Sequence, residues 1–190
     1  DDTYRVHNAA DAIVEVAGQG TDRVLASVDY RLGAGVSVEV LATNGSTGTA
    51  GIDLTGNELA QTILGNAGSN RLDGGLGRDT LTGGAGADWF VFSAAPGASG
   101  WDLVTDFEDG RDRIVLDDAA FAGLRPGDLA ASAFAASAGG LARDALDRVL
   151  YDSATGYLYW DADGSGAGAR IAFARLDPGT ALDAGDLLII

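Results

Sequence analysis

The chain has 190 residues, a length for one domain or one domain with a small appendage, and carries 28 acidic against 12 basic residues for a formal net charge of −16. That excess argues against nucleic acid and anionic membranes, because nothing offsets phosphate repulsion, while 46% apolar content argues against an acidic disordered chain. Cysteine is absent, which removes disulfides, thiolate metal sites and cysteine catalysis together, so the composition describes a folded protein that needs cations.

Glycine is frequent, with 29 residues, and proline is rare, with 3. Many glycines with few prolines point to repeated tight turns rather than a linker. No apolar run is long enough to span a bilayer, and no charged-then-apolar leader opens the chain, so export would need another route.

In chain order, Asp2-Thr3-Tyr4-Arg5, Asp11-Ala12-Ile13-Val14 and Asp22-Arg23-Val24-Leu25 share an acid, spacer, apolar, spacer pattern. Each predicts a short strand after an acid-bearing turn. The chain thus opens inside a repeat, with Asp2 in the acid's place, and reads as a piece of a longer protein. Residues 1–55 form the degenerate start of a solenoid.

The pattern then becomes regular. Gly56–Leu64, Gly65–Asp73, Gly74–Thr82 and Gly83–Val91 are four consecutive nine-residue units. The last two, GGLGRDTLT and GGAGADWFV, fit a glycine-glycine-x-glycine-x-aspartate repeat in full. The second has asparagine in two slots, and GNELAQTIL is degenerate. Glycines at positions one, two and four let the backbone turn sharply. Position six carries Gln61, Asn70, Asp79 and Asp88, and position eight is always apolar: Ile63, Leu72, Leu81 and Phe90. One apolar side chain per unit cannot be buried alone, so the units must stack and share a core. Stacked turns rich in carboxylates and carbonyls suit calcium, which takes oxygen ligands of both kinds.

From 92 to 116 the register continues irregularly through Asp102-Leu103-Val104-Thr105 and Asp112-Arg113-Ile114-Val115. Beyond it, Asp117 and Asp128 are positioned to cap short helices through Phe121 and Phe134. Val149–Tyr151, Tyr157–Trp160 and Arg170–Phe173 read as three strands of a small antiparallel cap, which solenoids need at an open end. Asp161-Ala162-Asp163-Gly164-Ser165-Gly166 starts like a calcium-binding helical-hairpin loop but has Ala172 where the bidentate glutamate belongs. A hairpin turn is the favoured reading, with a peripheral calcium site as the other.

Catalytic patterns are missing. His7 is the single histidine and there is no lysine, which removes an H-E-x-x-H zinc site, a phosphate loop and a Schiff base and leaves no serine triad beyond that one residue. Paired carboxylates among the 28 acids stay open, with turn and solvation roles explaining most of them. The chain is therefore read as non-enzymatic, with any catalytic domain upstream. Trp89, Trp101, Tyr157, Tyr159 and Trp160 are candidates for stacking on sugar rings or for packing against the cap.

The four glycine-aspartate units resemble the RTX, or haemolysin-type, calcium-binding repeats, and the region from Asp102 to Ile190 resembles the C-terminal part of serralysin-type and other type I-secreted exoproteins. The resemblance implies an all-β fold: a parallel β-roll over residues 1–116, closed by an antiparallel cap over 117–190. It also implies that alternate units stack, with several Ca2+ ions between their loops. On that basis Asn66, Gly68 and Asn70 would face Gly83, Ala85 and Asp88. Gly75, Gly77 and Asp79 would face the loop ending at Asp102, and Gly84, Gly86 and Asp88 would face the Asp106–Asp112 loop. Leu59 and Gln61 should leave the pairing of the first unit with Gly74, Leu76 and Asp79 weak or empty. The implied protein is a monomer exported from a Gram-negative cell by type I machinery, with Gly185–Ile190 resembling the tail of an uncleaved signal. The expected function is a calcium-binding module that folds outside the cell. The alternatives are a module that binds polysaccharide or a cell surface, and the non-catalytic part of a serralysin-like protease.

Overall fold

The apolar side chain at position eight of each unit needs a strand long enough to point it inward, and three or four residues suffice. In the computed structural model, which describes residues 1–190, these strands are β1 (Thr3–Val6), β2 (Arg23–Ala26), β3 (Tyr30–Arg31), β4 (Val40–Thr43), β5 (Leu54–Thr55), β6 (Thr62–Leu64), β7 (Arg71–Asp73), β8 (Thr80–Thr82), β9 (Trp89–Phe92), β10 (Asp102–Val104) and β11 (Arg113–Leu116). The C-terminal part adds β12 (Gly127–Asp128), β13 (Phe134–Ser137), β14 (Val149–Asp152), β15 (Tyr157–Trp160), β16 (Ile171–Arg175) and β17 (Leu187–Ile189).

From β4 to β11 successive strands alternate between two sheets, and within each sheet they pair in parallel with the strand one coil away. The fold is a parallel β-solenoid of the β-roll kind. Ile63 lies opposite Leu81 in one sheet, and Leu72 opposite Phe90 in the other. All four are fully buried, so each unit contributes one side chain to the core from alternating sides. Burial of a side chain of this size contributes about 1.5–3 kcal/mol.

The C-terminal strands continue the roll. β16 pairs in parallel with β10 and β17 with β11, so each sheet gains one more parallel strand. Only then does the chain turn antiparallel, through β14, β15 and β16 on one side and β12 against β17 on the other. One cluster of 30 buried residues runs from Val6 to Ile189, so roll and cap share a core. Phe121 sits at their junction, edge-on to Trp160 at 5.6 Å and to Phe173 at 5.0 Å. The final residues, expected to resemble a tail, are a strand of the roll.

Three local expectations do not hold. Asp117 closes a single turn, accepting from Ala119 N–H on its side chain and from Phe121 N–H on its carbonyl, each at 2.9 Å, and no helix follows. Asp128 belongs to β12 rather than to a helix cap, and the one 3-10 turn nearby, Ala131–Ala133, has Ala130 before it with no side-chain cap. Five to seven residues cannot offset helix nucleation when pairing with a strand edge is available. Asp11 forms no strand start: its side chain accepts from His7 and Asn8 N–H groups, closing a turn, and Val14 is left 86% exposed.

Gly84, at position two of its unit, is glycine for two separate reasons. Gly84 has φ +96°, and a Cβ there would fall inside van der Waals contact of the Asn66 carbonyl one coil away. Gly110 has φ +71° with open space around it. Gly84→Ala should therefore cost clearly more stability than Gly110→Ala, whose penalty is the left-handed backbone alone, about 1–2 kcal/mol. Urea unfolding in saturating calcium measures both, and equal losses would show that coil stacking does not demand the glycine.

Candidate metal centre

An 18-residue coil places position six of one unit directly against position six of the unit two further on. Backbone N–H groups then meet carboxylates: Gln61 N–H donates to Asp79 Oδ1 at 2.6 Å and Asn70 N–H to Asp88 Oδ1 at 2.7 Å, both 18 residues apart. The ladder continues across the irregular coils. Asp79 N–H donates to Asp102 Oδ1 at 2.9 Å, and Asp88 N–H to Asp112 Oδ1 at 3.0 Å, over 23 and 24 residues. Gly83 and Gly84 N–H groups both point at the Asp106 carboxylate, at 2.9 and 2.7 Å.

The loops nest as the repeat spacing suggests. Gly84 packs against the Asn66 carbonyl and Gly86 against that of Gly68, while Ala85 N–H donates to Asn66 O at 3.1 Å. The loop of Asn66, Gly68 and Asn70 therefore lies on that of Gly83, Ala85 and Asp88. One step away, Gly75 packs against Asn57 O and Gly77 against Leu59 O, with Asp79 reaching back to Gln61 and forward to Asp102.

Amide and acid loops differ in how they satisfy themselves. Asn70 accepts from Asn66 N–H at 2.8 Å and donates to Ile52 O at 2.9 Å. Gln61 donates to Asn57 Oδ1 at 2.7 Å, and Asn57 donates to the carbonyls of Gly33 and Val36, both at 2.9 Å. Asp79 and Asp88 have no such donor to offer. Each keeps one buried carboxylate oxygen, Oδ2, with no hydrogen-bond partner at all. A buried unpaired carboxylate oxygen costs several kcal/mol, which a cation, a proton or a buried water would relieve. Because neighbouring carbonyls and a second carboxylate stand beside it, the residues present fit an oxygen-seeking divalent ion.

Burial already pushes these groups toward protonation. The Asp79 and Asp102 carboxyls are each raised to about 7 and Asp88 to about 6, chiefly by desolvation. Gln61 N–H, Asp79 N–H and Asn70 N–H oppose the shift at Asp79, Asp102 and Asp88 respectively, and Asp73 adds repulsion at Asp79 and Asp102. Asp112 is raised as well, again first by burial.

Several participants were not expected. Asp73, at position nine, is buried and accepts from Gly75 N–H at 3.1 Å and Ser93 Oγ at 3.0 Å. Nothing in the repeat pattern marks position nine, which is usually a strand end. Asn57 was invisible because its unit looked degenerate. Glu39 accepts from Asp22 N–H at 2.7 Å, so the ladder reaches upstream with glutamate in place of aspartate. Asp2, Glu15 and Asp22 bring carboxylate oxygens within 4.8 Å of one another. Those oxygens take up Asp2 N–H, Val16 N–H and the Tyr4 hydroxyl, whose pKa rises to about 12 beside Glu15. The 161–166 segment is a turn between β15 and β16, closed by Asp161 Oδ1 accepting from Asp163 and Gly164 N–H groups at 3.2 and 2.9 Å.

The acidic turns stack along a parallel β-solenoid. The model of the RTX calcium-binding nonapeptide repeat matches residues 55–90 in four copies. The chain thus carries RTX repeats, whose ion is Ca2+, within a calcium-binding β-roll module. No curated protein matches the chain. No helix is long and apolar enough to cross a membrane.

The sign of the pH response follows from the raised carboxyls. In the metal-free fold they bind protons more tightly than in the unfolded chain, so their contribution to stability is present at acid pH and is lost as pH rises through about 6 to 7. With calcium bound the dependence should invert, because protons compete with the ion. Without calcium the β signal of the repeat region should rise from about pH 8 to about pH 5.5, as protons take up the charge, and in saturating calcium the urea midpoint should fall over the same range. A calcium-free β signal that is flat or rises with pH would contradict the burial of Asp79, Asp88 and Asp102.

Proposed function

We propose that this chain is a calcium-driven folding module of a larger secreted protein: extended and repulsive where calcium is scarce, folded where it is plentiful. The observation that carries it is the pair of buried, partnerless oxygens, Asp79 Oδ2 and Asp88 Oδ2, set in stacked turns. The ligand sets proposed are Asn66, Gly68 and Asn70 with Gly83, Ala85 and Asp88; Gly75, Gly77 and Asp79 with Asp102; and Gly84, Gly86 and Asp88 with Asp106 and Asp112. When bound, Ca2+ supplies positive charge and ties two turns together. The chain's part is to hold oxygens at fixed spacing on a strand ladder with a repeat near 4.8 Å. Two carboxylates that close repel by about 3 kcal/mol at an effective dielectric near 20, so a few such pairs rival the whole stability of a domain.

The setting proposed is export by type I machinery, with residues 1–116 as the roll, 117–190 as the cap and the terminal strand as part of the signal. RTX repeats support this reading, as do the unpartnered carboxylate oxygens of Asp79 and Asp88. No catalytic step is assigned to the chain.

Chelation with excess EGTA should melt Gly65 to Val115, and millimolar calcium should restore it cooperatively by circular dichroism. Magnesium should restore it poorly, since it dehydrates reluctantly and demands octahedral geometry. The double change Asp79→Ala and Asp88→Ala should raise the calcium midpoint at least about tenfold, as expected for losing a direct ligand worth 1.4 kcal/mol or more. Asp161→Ala should leave it in place. An identical β signal with and without calcium would defeat the proposal. Export of a chain lacking residues 185–190 at the full-length rate would remove the signal role.

A further inference from the structure

A chain with a net charge of −16 should show acids on every face, yet one face of the roll shows none. The strands β8, β10, β16 and β15 are consecutive neighbours in one sheet. Their solvent-facing positions carry threonine, leucine, isoleucine, alanine, tyrosine and arginine, and no acid. Across this face lie three arginines held on aromatic rings. The Arg78 guanidinium sits 3.7 Å from the Trp101 ring centroid, Arg170 lies 4.3 Å from that of Tyr159, and Arg175 lies 5.3 Å from that of Tyr157. Trp101 meets Tyr157 edge to face at 5.1 Å, and Tyr157 and Tyr159 are 6.0 Å apart, which makes the rings one continuous row.

None of the three arginines has a carboxylate partner. Arg175 spends only Nε, on Thr155 O at 3.1 Å, and Arg170 only Nη1, on the carbonyls of Gly139 and Gly140. Each guanidinium carbon is held over a ring while N–H groups remain free, which lowers the entropy cost of binding an anion. Carboxylate is the group whose geometry matches that fork.

We infer that this face binds a linear acidic polysaccharide, with Arg78, Arg175 and Arg170 pairing the carboxylates of successive uronate residues and Trp101, Tyr157 and Tyr159 contacting the sugar rings. The aromatic row supplies apolar edges and tyrosine hydroxyls that a polyanion without rings would not use. The narrowness of the strip selects a thin polymer. A flat anionic membrane would bring its charge over the surrounding acids within a Debye length, about 8 Å at physiological salt. Arg78 and Trp101 directly precede Asp79 and Asp102, whereas Tyr157, Tyr159, Arg170 and Arg175 lie on or beside β15 and β16, outside the metal turns, so polymer binding and calcium-dependent folding are separable at Arg170 and Arg175.

The test uses the calcium-saturated chain, with titration calorimetry against hyaluronan, dextran, polyglutamate and phosphatidylglycerol vesicles. Hyaluronan should bind at least about tenfold tighter than the other three, and more weakly as salt rises. Arg170→Gln with Arg175→Gln should lower hyaluronan affinity at least about tenfold with an unchanged calcium midpoint. The matching pair of lysine changes should restore it only in part, because charge returns without the planar fork. Dextran binding as tight as hyaluronan would show that charge is not read. Polyglutamate binding as tight would make this an acidic-peptide site, vesicle binding as tight would make it a lipid-facing one, and absence of hyaluronan binding would remove the site. Each of these overturns the proposal. Should the glutamine pair lose its calcium-dependent fold, the lysine pair decides: hyaluronan affinity equal to that of the unmodified chain overturns the role of the fork.

Discussion

The backbone N–H of each position-six residue donates to the carboxylate of the position-six residue one coil further on, and the rest of the molecule is arranged around that contact. It exists because two nine-residue units make one coil, so acids that are distant in sequence are superposed in space. Satisfying one carboxylate oxygen this way draws the whole group out of solvent: Asp79 and Asp88 become buried, their second oxygens are stranded, and their carboxyls are pushed up to about 7 and about 6. The same contact that registers the coils thus creates the demand for a cation. Register and metal dependence are one feature, not two.

Seen along the roll, that demand is graded. In the coils built from Asn57, Gln61, Asn66 and Asn70, side-chain amides occupy the gap with their own N–H donors, bonding Gly33, Val36, Ile52 and Ala50 carbonyls at about the usual length. An amide brings acceptor and donor in one group, so those turns close without help. From Asp79 onward the donors disappear and carboxylates face carboxylates through Asp102, Asp106 and Asp112. The amide-bearing turns therefore close with their own hydrogen bonds, and the best-matching repeats are the ones left with unpartnered carboxylate oxygens.

The C-terminal strands solve a problem that the repeats cannot. Stacked coils end in two open strand edges and an exposed apolar core, both liable to aggregate. β16 and β17 extend each sheet by one parallel strand, and the antiparallel strands beyond them close the end with Phe121, Trp160 and Phe173 over the core. This places Tyr157, Tyr159 and Arg175 beside Trp101 and Arg78, so residues from repeat and cap meet on one outer face.

Much of this was legible in the residues themselves. The period of nine, the glycines, the acid at position six and the apolar residue at position eight define a stacked parallel roll, because one inward side chain per short strand has no other stable use. The net charge indicates cations, and alternation of units pairs Asp79 with Asp102 and Asp88 with Asp112. Other features depended on contacts between distant segments. Short apparent helices at Asp117 and Asp128 gave way to a turn and a strand, since pairing with β17 outweighs a helix too short to nucleate. The roles of Asp73, Asn57 and Glu39 were hidden because position nine, a degenerate unit and a glutamate carry no periodic signal. The acid-free aromatic face joins residues from Arg78 to Arg175, and no local pattern connects them. Sequence by itself determined the repeat, its core and its stack of acidic turns, since those follow from spacing along the chain. Tertiary structure alone decided which oxygens go unpartnered and which arginines share a surface, since both depend on what the neighbouring coil places opposite.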